Sequence, residues 1–514
     1  MPKIDEGPEL FIGLAAAVGT GLDRAISKIV QALQRVSYRS HEIHLARLLQ
    51  TLPGYRERLI AEPADQYIST HMTQGDELRK ATGRNDAMAV LAIGEIKKIR
   101  QENGATDGKP LQRHAYIFRS LKTPQEAARL RDIYGASFYL IAAYTPRDRR
   151  RDNLAQRIAR SHNETQVIRF FSQAEALIQR DLEEEADLPY GQNLRDTYHR
   201  ADVFVDTEND ETLERSVSRF VELIFSNTFH TPTRDEYAMF HAKAAALRSA
   251  ELSRQVGASI ARSNGDIVAV GTNEVPRAGG GLYWCGDIPD KREFERGSDS
   301  NDEHKRNLIG DTLKRLKAAG WLSFEQSKKD EAQLVNDVLA GDKPVLSSQS
   351  LIRNIIEYGR AVHAEMAAIV DAARRGVNVS ECTMYVMTFP CHLCARHIVA
   401  SGIRKVIYIE PYPKSLAADL YPDSIRVEGG SESSLQVLFE PFVGVAPTQY
   451  MQLFEAGVRK DKNGKAIPFD PLNADMRYSA SEILYMERED WEINQLSNIL
   501  VRQGSLWRES DVRT

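Results

Sequence analysis

The chain has 514 residues, 42% of them hydrophobic and 27% charged, and carries a net charge of −5 at pH 7. That length exceeds what one ordinary core organises, so two or three domains are expected; the acidic balance argues against a dominant basic surface for long nucleic acid while leaving room for a local basic groove. No apolar run approaches the roughly 18 to 20 residues that cross a bilayer, and "MPKIDEGPEL" has neither the charged nor the apolar region of a signal peptide, so a cytoplasmic protein without membrane contact is expected.

Leu10 to Leu14 reads as a short buried strand, and Leu22, Ile26, Ile29, Val30 and Leu33 then recur at helical spacing. The turn between them, "GLAAAVGTGLD", has the outline of a phosphate-binding loop, GxxxxGK[ST], with the lysine missing. Aligned on Gly19, the loop has Thr20 in the lysine position and Gly21 in the Ser/Thr position, with Gly13 as the first glycine and one residue to spare. Backbone N–H groups around Gly19, Thr20 and Gly21 remain able to cradle an anion at the helix start. A compensating cation would have to come from Arg147, Arg149, Arg150 or Arg151, a run that otherwise reads as a solvated face. Nucleotide sensing or plain structural service is therefore expected of this loop rather than phosphoryl transfer.

Further apolar runs at 115–118, 137–144 and 201–205 alternate with charged helical segments, which predicts a mostly parallel, three-layer α/β domain of P-loop-like type over residues 1–228. The Pro/Thr/Asn/Asp loop in "NTFHTPTRDEYAMF" marks the boundary to a second domain, 229–514. There an Ala-rich helix precedes a hairpin turned at "SNGD". Residues 286–350 are polar and read as an insertion, and an extension from about 430 is expected to pack against the second domain.

Three of the four cysteines, Cys382, Cys391 and Cys394, lie close together, which in a cytosolic chain favours metal ligation over disulfides. "AVHAEMAAIV" and "PCHLCARHIV", separated by the strand "CTMYVMTF", supply the HxE and PCxxC pair of zinc nucleobase deaminases. His363, Cys391 and Cys394 would hold Zn²⁺ in three of four tetrahedral positions, leaving the fourth for a water whose pKa falls to about 7. Glu365, two residues past the histidine, is placed to take that water's proton and return it to the ring nitrogen and the departing ammonia. The alternative is a structural four-ligand site, for which His392, His397, Cys382 or Cys285 would supply the fourth donor.

Across residues 231–425, "DEYAM", "RSAELSRQVGASI", "VGTNEVPRAGGG", "YGRAVHAEMAAI" and "TFPCHLCARHIVASGIRKVIYIEPYPKS" together resemble the deoxycytidylate deaminase family of the cytidine deaminase-like superfamily. The resemblance implies an α/β/α domain with a mixed central sheet, both zinc-bearing helices on one face, Asn273 against the deoxyribose hydroxyl and a backbone contact from Ala364 to the base. Lys414 and Arg277 are candidate phosphate ligands and Tyr412 a candidate stacking ring, with surface or packing roles as the alternative. The chain departs from the family where "GTNEVP" replaces asparagine-glycine-x-proline and in the long insertion after Cys285.

Three functions compete: a deaminase of free dCMP or dCTP, in pool depletion or in house-keeping supply of deoxyuridylate; a deaminase of single-stranded polynucleotide; and a scaffold retaining the metal for stability. The absence of an interleaved basic-aromatic run argues against the second, the intact Glu365 against the third. The N-terminal blocks "YIFRSLKTPQEAARLRDIYGASFYLIAAYTPRDRRRDNL" and "GQNLRDTYHRADVFVD" are similar to the nucleotide-kinase-like part of bacterial phage-defence deaminases, which deplete cytosine deoxynucleotides. The pairing of such a domain with a deaminase implies restraint of the activity, by a regulatory nucleotide in the N-terminal domain or by an RNA or protein inhibitor, and the resemblance to the deaminase family implies a homo-oligomer.

Overall fold

The computed structural model describes residues 7–106, 109–183, 190–341, 344–346, 350–412, 415–428, 435–455 and 457–502. It divides into two compact units, one of residues 1–236 with 443–514 and one of residues 237–442.

The first unit is built around β1 (Leu10–Ala16), all seven residues of which are buried because strands flank it on both sides. The glycine turn leads into α1 (Leu22–Arg35), whose buried Leu22, Ala25, Ile26, Ile29, Ala32 and Leu33 follow the helical period. Next come β2 (Arg39–His44), α2 (Ala64–Thr82), α3 (Ala87–Glu102), β3 (His114–Leu121), α4 (Pro124–Tyr134), β4 (Phe138–Tyr144), α5 (Arg147–Ser161), α6 (Phe171–Glu183), β5 (Val203–Asp206) and α7 (Asp210–Ile224). These five strands are parallel in the order β5-β4-β1-β3-β2, so each connection crosses over with a helix and the carboxyl ends of β1, β2 and β3 share one edge. Leu10, Ile12 and Leu14 pack with α1 and α7 on one face, while Phe11 stacks on Tyr134 of α4 on the other. The expected strands are present, and β2 is an addition: "RSHEIH" is a polar edge strand without the apolar run that marks its neighbours.

The second unit starts within α8 (Arg234–Ala246) and continues with the hairpin β6 (Gly257–Ala261) and β7 (Ile267–Thr272). Helices α9 (Ser300–Ala318) and α10 (Glu331–Ala340) occupy the expected insertion. Then follow α11 (Ala364–Arg374), β8 (Thr383–Thr388), α12 (His392–Ala400), β9 (Lys405–Glu410), β10 (Ile425–Val427) and β11 (Val437–Pro441). The sheet is mixed, in the order β10-β11-β9-β8-β6-β7, antiparallel at the hairpin and between β6 and β8, parallel elsewhere. Ala364, Ala368 and Ala372 of α11 share one core with Ala395 and Ile398 of α12, so both helices cover the same face.

From Val443 the chain returns to the first unit, which corrects the expectation that the C-terminal extension packs on the second. Strand β12 (Gly444–Val445) pairs antiparallel with β5, closing the open edge of that sheet, and the final helix α13 (Glu482–Arg502) packs on α3 and α4. The aromatic and aliphatic residues of this tail signalled packing but not its target. Among the described residues, no helix is long and apolar enough to cross a membrane.

Candidate active site

Helix α11 begins at His363 because the chain is pinned just before it. Glu274 and Val362 exchange backbone hydrogen bonds of 3.3 and 3.0 Å, and the fully buried Glu274 carboxylate accepts from the Ala250 and Val275 N–H groups, each at 2.9 Å. The glutamate that departs from the family pattern is thus a brace between three segments. The helix then lies directly on β7: a Cβ at Gly271 would fall 2.1 Å from the Ala364 carbonyl oxygen and 2.4 Å from the Ala368 nitrogen. Only glycine allows that approach, and it fixes the depth at which His363 and Glu365 enter the site.

On the other side β8 runs into Pro390, whose carbonyl accepts from the Ser415 hydroxyl at 2.7 Å, and Cys391 caps α12 with Cys394 in its first turn. His363 Nδ1 is 3.3 Å from Cys391 Sγ and 3.4 Å from Cys394 Sγ, and the three ligand atoms lie within 4.8 Å of one another. One imidazole nitrogen and two sulfurs are a zinc donor set with a coordination position left open. Among the described residues no fourth cysteine or histidine joins: Cys382 is buried in the sheet core, Cys285 and His397 are exposed, and His392 stands outside the group. The four-ligand structural alternative therefore lacks its fourth donor.

The electrostatics suit a thiolate. Its hydrogen bond with Cys394, then the His363 imidazole, draw the Cys391 thiol down to about 4, and Cys391 in turn lifts His363 to about 9. Glu365 is 5% exposed, with Oε2 3.4 Å from Cys394 Sγ; burial, then the nearby Cys391 charge, push its carboxyl above the usual range. A buried carboxyl raised toward neutrality is able to hold and release a proton near operating pH.

His363, Glu365 and Cys391 line a cavity of about 190 Å³, whose walls also include Arg254, Asn273, Ile356, Ala364, Thr388, Phe389 and Tyr412. Asn273 is 7% exposed and spans the loop behind it: Oδ1 accepts from Val256 N and Nδ2 donates to the Arg254 carbonyl, both at 2.7 Å. Asn273, Ala364 and Tyr412 thus meet the metal group at one cavity. Arg277 does not; it pairs with Asp287 at 2.9 Å outside the wall. Lys414 lies outside the described residues. Arg254, which sequence reasoning missed, is the one basic side chain on the described wall, held by Glu410 at 2.9 Å. Its signal was slight, a single arginine in a quoted block, because nothing local distinguishes it from a surface charge.

In the first unit Gly13 lies mid-strand, where a Cβ would press Leu121 Cδ1 at 2.6 Å, and Gly19 (φ +86°) backs onto the Arg150 carbonyl oxygen at 2.5 Å from an added Cβ. Thr20 and Gly21 lead into α1. The arginine run is engaged elsewhere: Arg147 with Glu175, Arg149 with Glu208, Arg151 with Asp152, and Arg150 Nε on the Thr145 carbonyl.

Residues 232–410 match the family model described as the cytidine and deoxycytidylate deaminase zinc-binding region. The deoxycytidylate deaminase of enterobacteria phage T2 is 48% identical over 54 residues, which cover 10% of this chain and 29% of that protein. The human deoxycytidylate deaminase is 37% identical over 68 residues, covering 13% and 33%. The chain therefore spans about a third or less of these relatives' own length. Among solved structures, the dCMP deaminase of cyanophage S-TIM5 in complex with dCMP and dUMP aligns at 18% identity and a TM-score of 0.23, covering 42% of this chain and all of that one.

Proposed function

We propose that the second unit is a zinc-dependent hydrolytic deaminase that converts dCMP, dCTP or both to the deoxyuridine nucleotide and ammonia. The observation that carries this reading is the burial of Glu365 beside a His/Cys/Cys group at the floor of one cavity. His363, Cys391 and Cys394 would hold the zinc ion, which when bound supplies the Lewis acidity that makes hydroxide available near neutral pH. Glu365 carries the protons: it accepts one from the attacking water and delivers it to ring N3 as the water oxygen bonds to C4. It then takes the second proton from that oxygen and gives it to the exocyclic amino group, so that the C4–N4 bond breaks, the C4 carbonyl forms and ammonia leaves. Asn273 holds the loop against which the sugar would lie, Phe389 and Tyr412 offer ring faces to the base, and Arg254 is the candidate contact for the phosphate.

Product analysis on dCMP, dCTP, cytidine and a single-stranded oligonucleotide, paired with Glu365→Gln, tests the proposal. Uracil product from a free nucleotide, lost in the variant while zinc is retained, is expected; turnover of the oligonucleotide alone would overturn it. The cellular role we infer is depletion of cytosine deoxynucleotides during phage infection, a reading supported by the N-terminal sequence blocks. Cells expressing the wild type should restrict phage growth and lose dCTP, and cells expressing Glu365→Gln should do neither.

A further inference from the structure

Ile356 reaches the wall of the deaminase cavity from outside both metal-binding motifs, half-buried in a turn that follows the 286–350 insertion. The insertion holds that turn in place. Asn301, in the first turn of α9, brackets it: Nδ2 donates to the Ile355 carbonyl at 3.0 Å and Oδ1 accepts from the Tyr358 N–H at 3.3 Å. His304, one residue short of a helical turn further on, lays its ring on Tyr358 with the centroids 5.2 Å apart. Arg360 adds a second tie, donating to the Lys291 carbonyl at 3.1 Å and to the Glu293 carboxylate at 3.3 Å. That carboxylate, 2% exposed, also accepts from the N–H and hydroxyl of Ser300, where α9 starts. The insertion thus grips the chain on both sides of Ile356, and the second grip lies three residues before His363.

The polar groups around Ile356 are already engaged. Asn273 uses Oδ1 on Val256 and Nδ2 on the Arg254 carbonyl, which leaves one lone pair and one hydrogen, enough for a single sugar hydroxyl. Thr388 donates to Glu410 at 3.3 Å, Glu410 pairs with Arg254, and Ser253 is exposed beside that cation. The Ile356 N–H donates to the Glu357 carboxylate at 2.8 Å, and the carbonyl before it is taken by Asn301. What the turn offers the cavity is an aliphatic side chain. Against C2′ of a deoxyribose such a face costs nothing, whereas a 2′-hydroxyl pressed on it loses its water and finds no replacement.

We infer that Ile356 is a specificity-determining residue of the deaminase site, selecting 2′-deoxyribonucleotides over ribonucleotides, and that Asn301 is the positioning residue through which the insertion sets it. The inference rests on the deaminase reading and deepens it. One apolar wall rejects an added hydroxyl by at most about 100-fold, so that is the scale of discrimination it supplies. The long insertion is also where the chain departs from the deoxycytidylate deaminase pattern, so the contact comes from residues particular to this sequence.

The test is kcat/KM of the full-length zinc-loaded chain for dCMP against CMP and for dCTP against CTP, with zinc per chain measured in every variant. Wild type should favour the deoxynucleotide. Ile356→Ser, which offers the 2′-hydroxyl a partner, should lower the deoxy-to-ribo ratio about tenfold, and Ile356→Val, which keeps the aliphatic face, should hold it. Asn301→Ala should lower the ratio in the same direction with zinc retained; a merely structural role would lower both activities by one factor and leave the ratio alone. A wild type that deaminates none of the four nucleotides sinks the deaminase reading and this inference with it. A wild type that deaminates dCMP or dCTP but takes the ribonucleotide equally well, or a ratio unmoved by Ile356→Ser or by Asn301→Ala, overturns this inference alone.

Discussion

Arg100 of α3 and Glu489 of α13 lie 389 positions apart in the chain and form a fully buried ion pair, with Nη1 and Nη2 donating to the carboxylate at 2.6 and 2.9 Å. The opposite edge of the guanidinium takes Glu9 in the same bidentate way, at 3.0 and 2.7 Å. Tyr116 and Tyr485 donate to Glu9, and Tyr134 donates to Glu489. Burial pushes the Glu489 carboxyl up and Arg100 pulls it back, so the arginine is the counter-charge that opposes the cost of burying that carboxylate.

Removing that cation is therefore expected to be costly. Arg100→Met leaves two buried carboxylates facing each other, which costs about 3–5 kcal/mol. Glu489→Gln keeps hydrogen-bonding atoms in place and should cost less. Urea unfolding followed by tryptophan fluorescence, through Trp491 of α13, checks the order; an Arg100→Met protein as stable as wild type would show that the tail is not held this way.

Gly271→Ala should cost the site its metal. The added methyl meets backbone atoms of α11 at 2.1 and 2.4 Å, and the helix that starts at His363 must lift away from β7. Overpacking of this kind typically costs about 1–3 kcal/mol. Since His363 and Glu365 ride on the displaced turn, zinc content per chain and deamination should fall together, whereas Gly54→Ala, at an ordinary φ and with nothing within 4 Å of the added methyl, should leave zinc content unchanged.

Substituting either thiol ligand, Cys391→Ser or Cys394→Ser, should reduce bound zinc from about one equivalent to near none, because a hydroxyl does not ionise to replace a thiolate. Cys285→Ser should retain the metal, since Cys285 is exposed and outside the ligand group. Acidification should release zinc from the wild type, as protons compete for the imidazole and both sulfurs. Zinc measured after gel filtration separates these outcomes, and loss in Cys285→Ser would reopen the four-ligand reading.

The ligands were legible in sequence because His363, Glu365, Cys391 and Cys394 sit in two short motifs whose chemistry depends on local spacing at helix starts. The parallel strands were legible because burial on both faces writes an uninterrupted apolar run. What escaped were relationships made only by folding. Arg100 sits near the end of a mostly apolar, buried helix and Glu489 in a charged one; neither spacing nor composition reveals that they meet. The polar β2 carries no burial signal, and the cations around the cavity beside the first unit's glycine turn, Arg79, Arg119, Lys122 and Arg157 among them, are scattered along the chain and do not come from the arginine run 147–151. Arg277 was chosen because it follows "GTNEVP", yet its partner Asp287 holds it outside the cavity, and the wall's cation is Arg254.

That exchange of arginines yields the most discriminating kinetic test. If Arg254 meets the substrate's phosphate, Arg254→Ala should raise KM for dCMP or dCTP about 10- to 100-fold, the loss of a hydrogen bond between charged groups. Turnover of saturating nucleotide should change little, because Glu365 and the metal ligands are untouched. Cytidine, which has no phosphate, should react equally slowly with wild type and variant. Arg277→Ala should behave as wild type toward all three. A purely structural role for Arg254, through its ion pair with Glu410 and through it Thr388, predicts the opposite pattern: nucleotide and nucleoside losing activity by the same factor, with Glu410→Gln reproducing the defect.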